Sequence, residues 1–111
     1  MAECRKQFGK IRKASYGFGG YQDAQFGISF DLGGEHWGVS DFWGGWADKP
    51  TSGAQWTRKD QLAWHAETAE RICELLKAAK VNSVAKLPGI PIEVSFDGNL
   101  LKSWRVLTEV L

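Results

Sequence analysis

From Ala24 to Leu32 apolar and polar positions alternate. Phe26, Ile28, Phe30 and Leu32 fall on one side, and Gln25, Gly27, Ser29 and Asp31 on the other. A period of two predicts a half-buried strand. Gly33-Gly34 follows as a turn, and His36 to Phe42 forms a second arm with Trp37 and Val39 on one face. Lys10 to Tyr16 alternates partially and is expected to be a first strand, with residues 1–8 a loosely held lead-in. Gly17-Phe18-Gly19-Gly20 is expected to break regular structure, because three glycines in four positions resist ordering. Trp43 to Thr57, with Gly44-Gly45, Asp48-Lys49-Pro50 and Ser52-Gly53, carries turn chemistry and predicts a long loop.

The pattern then changes period. Thr57 is the N-cap of a helix and Asp60 stands three residues on, the spacing of a capping box. Leu62, Ala66, Ala69, Ile72, Cys73, Leu76 and Ala79 recur at three- and four-residue steps and are expected to face the core. Their small side chains predict close approach to a sheet. Glu67, Glu70, Arg71, Glu74 and Lys77 take the opposite face, and Lys77 and Lys80 suit the negative helix end. Ser83 to Leu87 reads as one helical turn. Pro91 to Phe96 is a strand, Asp97-Gly98 a hairpin turn and Leu100 to Leu107 the returning strand. The expected fold is α+β, an antiparallel sheet of about five strands in the order β-β-β-α-β-β, packed on one long helix. Two small sheets sharing that helix are the alternative.

Composition adds bounds. At 111 residues, 43% hydrophobic and 24% charged, the chain is of ordinary globular composition and long enough for one core. No apolar run approaches a membrane span, and the start lacks a secretory pattern, so a cytoplasmic protein is expected. Cys4 and Cys73 sit in no zinc-type spacing and are expected to be free thiols. The net charge of +1 is less informative than its distribution. Arg5, Lys6, Lys10, Arg12 and Lys13 crowd the start; Ala14 to Asp48 contains no Lys or Arg, but holds Asp23, Asp31, Glu35, Asp41 and Asp48. Gripping a phosphate backbone requires cations, so direct nucleic-acid binding by this segment is disfavoured.

Five of six tryptophans lie between Trp37 and Trp64. Such rings either close a small core or form a recognition surface. Trp37 and Trp64 are expected in structural roles. The binding candidates are Phe18, Tyr21, Trp43, Trp46 and Trp56, with Asp41 and Asp48. Arg12, Lys13, Arg58 and Arg105 are the cations available should a ligand carry phosphates. His36 and His65 have no partner in a recognisable dyad or triad, GxSxG is absent, and no metal or cofactor signature appears. Asp23 and Asp41 stand beside turns, where bonding to local backbone explains an acid.

The block from Lys10-Ile11 through Tyr16-Gly17-Phe18-Gly19-Gly20-Tyr21-Gln22-Asp23-Ala24 to Phe26-Gly27, and the ending Leu101 to Leu111, resemble small proteins encoded by bacteriophages and prophages. The resemblance extends over most of the chain. It implies an accessory phage protein acting in bacterial cytoplasm and brings no catalytic residues with it. The expected function is binding to a host or phage protein, as an inhibitor of bacterial defence such as CRISPR. Sequestering a nucleotide-type ligand is the alternative, and a small hydrolase using His36 or His65 a third class.

Overall fold

The computed structural model describes residues 4–111 and contains five antiparallel strands and one long helix. The strands are β1 (Cys4–Gly19), β2 (Gln25–Gly33), β3 (Gly38–Trp46), β4 (Pro91–Asp97) and β5 (Leu100–Val106); the helix is α1 (Arg58–Ala79). Short 3₁₀ turns occupy Tyr21–Asp23, Val84–Lys86 and Thr108–Val110. The spatial order is β3-β2-β1-β4-β5, so the α+β architecture, the strand–helix order and the single sheet follow the pattern in the sequence.

β1 is the organising element. Its first half, Cys4 to Lys10, pairs with β4, and its second half, Lys10 to Gly19, pairs with β2. Two hairpins therefore grip opposite edges of one 16-residue strand, each stabilising half of it. A bulge at Arg12 separates the halves, since Ile11 opposes Leu32 while Lys13 opposes Asp31. Residues 4–8, expected as a lead-in, are thus ladder-paired strand; the rest of that lead-in, residues 1–3, lies outside the described residues. The Gly17–Gly19 stretch also stays in the strand, because β2 supplies its ladder. The break comes at Gly20, whose φ of +74° suits glycine.

A flat sheet would hold β3 and β5 four strand spacings apart, about 19 Å. Here Trp43 of β3 and Trp104 of β5 stack with ring centroids 5.5 Å apart. The sheet is therefore strongly curled, and its concave side holds the core. Ile11, Ile28, Phe30, Leu32, Ile92, Val94, Phe96 and Val106 line it, with Ile72, Leu75 and Ala79 of α1 and Leu87 above. Trp37 packs edge-on against Phe96 at the far rim. The convex side is uncovered: register places Lys6 and Phe8 of β1, Glu93 and Ser95 of β4, and Ser103 and Arg105 of β5 there.

Trp43 to Trp46 belongs to β3, although the sequence read as loop. Glycines that resemble turn residues serve packing instead: Gly27 and Gly44 face each other where a Cβ would meet backbone, and the Trp64 ring lies on Gly45. The loop proper runs over residues 47–57. The helix begins with the expected reciprocal cap, Thr57 Oγ1 accepting from the Asp60 N–H at 3.1 Å and Asp60 Oδ2 accepting from the Thr57 N–H at 2.8 Å. Its rotation differs from expectation. Gln61, Thr68, Ile72, Leu75 and Ala79 are buried, whereas Leu62, Ala66, Ala69 and Cys73 are exposed, a turn of about 90° about the helix axis. Gln61 explains the rotation. Its amide is fully buried, donates to the carbonyls of Trp46 and Asp48 at 2.6 and 2.9 Å, and accepts from Arg58 at 2.6 Å. Three hydrogen bonds on one buried side chain outweigh the burial of alanines.

The molecule is open for its size. Its radius of gyration is 15.4 Å, against about 13 Å for a compact chain of this length. Its accessible surface is 7503 Å², against about 6100 Å² for a typical 12.4 kDa monomer.

Candidate functional site

The two flanks of α1 carry different chemistry. On the flank towards β1, Phe26 is the hub. Tyr16 and Phe18 of β1 pack on it at 5.3 and 5.5 Å between ring centroids, and His65 of α1 meets it edge-on at 6.0 Å. The strand residues are poorly covered: Tyr16 is 49% exposed and Phe18 68%. Leu62, one turn before His65, is 51% exposed, and Ala66, Ala69 and Cys73 continue the strip along the helix. Tyr21, 85% exposed, projects from the turn after β1. That turn holds Gln22 and Asp23 at φ +57° and +55°, left-handed conformations that cost non-glycine residues about 1 kcal/mol or more each. An apolar, aromatic surface thus runs from the turn to the middle of α1.

At the same end of the sheet, Trp46, Trp56 and Trp64 form a stack. Trp46 and Trp56 are nearly parallel at 6.3 Å, and Trp56 tilts on Trp64 at 5.3 Å. Trp56 and Trp64 are half-buried, so the stack chiefly fixes the 47–57 loop against α1; Trp46, 42% exposed, offers an outer face. Asp48 is exposed, and its backbone carbonyl is held by Gln61.

The other flank faces β5. Asp41 Oδ2 accepts from the indole N–H of Trp43 at 3.1 Å and of Trp104 at 2.8 Å, while Oδ1 accepts from the Phe42 N–H at 2.8 Å. One carboxylate therefore ties the two edge strands together. Phe30 meets both indoles edge-on, and the Arg71 guanidinium lies 4.0 Å from the centroid of the Trp43 ring. Trp43 and Asp41, expected on a binding surface, are here parts of a structural clamp. Trp104 and Arg71 complete the cluster; no local pattern signals their partnership, since Trp104 lies 63 positions from Asp41.

The four candidate anion-binding cations do not converge. Arg12 donates to the Gly34 carbonyl at 2.7 Å beside Lys13, and Arg58 is bound to Gln61 at the opposite end of the β2–β3 hairpin, about 27 Å away along nine residues of strand. Arg105 is held by Glu93 at 3.2 Å and by both oxygens of Glu109 at 3.0 Å. These bonds raise the Arg105 pKa further, and Arg105, with a backbone hydrogen bond, lowers that of Glu109 to about 2. His36 lies in an exposed turn, 3.8 Å from Glu35, while His65 is engaged with Phe26. The described residues contain no cluster of His, Cys, Asp and Glu suited to a metal ion, and no helix among them is long and apolar enough to cross a membrane.

No protein family, curated protein or solved structure matches this chain. The geometry therefore carries the functional reading.

Proposed function

We propose that this is a small binding protein that docks a partner protein on the apolar flank of α1 and the adjoining aromatic end of β1, with Phe18, Tyr21 and Trp46 among the contacts. One observation carries the reading: the best apolar strip of the helix, Leu62, Ala66, Ala69 and Cys73, lies outside the core, on the flank where His65 meets Phe26 and, through it, exposed Tyr16 and Phe18. A lone domain gains by burying such a strip; a binding protein gains by keeping it for its partner. The surplus surface supports this, since a standard interface covers about 800 Å² on each side. The resemblance to small phage proteins supplies the setting, in which the partner is a bacterial host or phage protein and the effect is inhibition of a defence system, CRISPR among them.

The test compares the wild-type chain with a Phe18→Ala/Leu62→Lys variant in pull-downs from bacterial lysate, quantified by mass spectrometry. Both altered side chains are more than half exposed, so stability is expected to change by less than about 0.5 kcal/mol each. A specifically captured partner is expected to be lost from the variant and retained by Lys13→Ala on the opposite face. Equal capture by both variants refutes the assignment. Light scattering of the isolated chain checks for the other occupant, a second copy; a dimer dissociated by the double variant would replace a foreign partner with self-association.

A further inference from the structure

The flank of α1 facing β5 contains a groove of about 490 Å³, within the size range of ligand-binding clefts. Its floor is the stacked Trp43–Trp104 pair, and one wall carries Glu67, Glu70 and Glu74. These carboxylates recur at i, i+3 and i+7, so they line one helix face over about 10 Å. Both indole N–H groups are committed to Asp41. Donation to a carboxylate enriches the rings in electron density and fixes their orientation, which favours attraction of a cation to the ring faces.

The protein already holds a cation on this platform. Arg71 sits over Trp43, although the described residues place no carboxylate within 4 Å of its guanidinium. The other arginine of the groove, Arg105, is neutralised by Glu93 and Glu109. Glu74 has Lys77 at 3.7 Å, while no cation of the described residues lies within 4 Å of Glu67 or Glu70. Aromatic floor, unmatched carboxylates and a resident guanidinium all select the same chemistry.

We propose that this groove receives an arginine-bearing basic segment of a partner protein. One guanidinium exchanges with Arg71 on the Trp43–Trp104 platform, and neighbouring cations pair with Glu67 and Glu70. The site lies on the opposite flank of α1 from the apolar strip, so the two proposals stand or fall separately.

A capped peptide of alternating glycine and arginine is the probe, titrated into the full chain while the indole N–H resonances of Trp43 and Trp104 are followed by NMR. Saturable shifts of both resonances are expected at low salt, weakening at high salt. Glu67→Gln/Glu70→Gln should weaken binding about tenfold, the combined effect of two exposed ion pairs. Arg71→Gln should tighten it roughly two- to fivefold by removing the internal competitor. All three positions are exposed, so these variants should keep the fold, and an unchanged spectrum elsewhere verifies it. The glutamine analogue of the peptide should leave both resonances in place. Absence of saturable shifts overturns the proposal, as does wild-type affinity in both the double glutamate variant and Arg71→Gln.

Discussion

The two flanks of α1 share a backbone and little else. Towards β5 the helix is charged, yet its neighbours are tied in: two indoles, a carboxylate and an arginine satisfy one another across opposite edges of the sheet. Towards β1 the helix is apolar, and its neighbours are loosely covered rings. The difference leaves one apolar strip of the helix uncovered although Ile72, Leu75 and Ala79 are buried in the core. It teaches that stability here comes from a polar clamp and a small aliphatic core, leaving the apolar strip available for docking.

The comparison can be broken at its strongest point. Trp104→Ala removes one plate of the clamp and strands part of the Asp41 hydrogen bonding, so a loss of about 3–5 kcal/mol is expected in urea unfolding. A loss below about 1 kcal/mol would show that the clamp does not hold the sheet edges together.

Two adjacent helix residues sharpen the contrast. Ile72 is 7% exposed while Cys73 is exposed. Ile72→Ala should cost about 2–5 kcal/mol, and Cys73→Ala less than about 0.5 kcal/mol. In a Cys4→Ser background, a thiol reagent should modify native Cys73 without prior unfolding, and a bound partner should protect it. Comparable losses at both positions would mean that the helix is rotated as its apolar pattern suggests.

The smallest effect concerns the ion pair behind the groove. Arg105 holds Glu109 below its ordinary value of 4.5, at about 2. A lowered carboxylate pKa stabilises the folded state above about pH 4.5, and the contribution is lost as the pH falls towards 2. The pair lies at the surface, so the dip in thermal midpoint should be slight, and Arg105→Gln should flatten it. Protonating Glu109 also leaves Arg105 more positive beside the groove, so arginine-peptide affinity should fall over the same interval.

Much of the architecture was legible before the structure. The Thr57–Asp60 cap, the alternation of β2 and the turn after Asp97 each rest on local chemistry, and each fell within a residue or two. The site was less legible, for three physical reasons. Gln61 and Thr68 face inward while Ala66, Ala69 and Cys73 face out, so apolar periodicity placed Ile72, Leu76 and Ala79 at the core but set the buried face about 90° off. Gly19, Gly44 and Gly45 look like turn residues, but they allow tight strand and ring packing whose partners come from elsewhere in the chain. Asp41 reads as a turn acid because its real partner, Trp104, is brought close only by the curl of the whole sheet. Phe18, Tyr21 and Trp46 are exposed, but the sequence offers Trp43, flanked by the same glycines, on equal terms, and only the folded sheet separates them.

The division of β1 between two hairpins has a consequence for how the protein comes into being. Its second half can zip onto β2 as soon as that hairpin emerges, through contacts close in sequence. Its first half must wait for β4 and β5, the last strands to be synthesised, before Cys4 can lie opposite Asp97. Such long-range closure is slow, and until it occurs one stretch of strand has open edges in a growing chain. The lysines and arginine spaced along that stretch, Arg5, Lys6 and Lys10, keep it from pairing with other nascent copies during the wait.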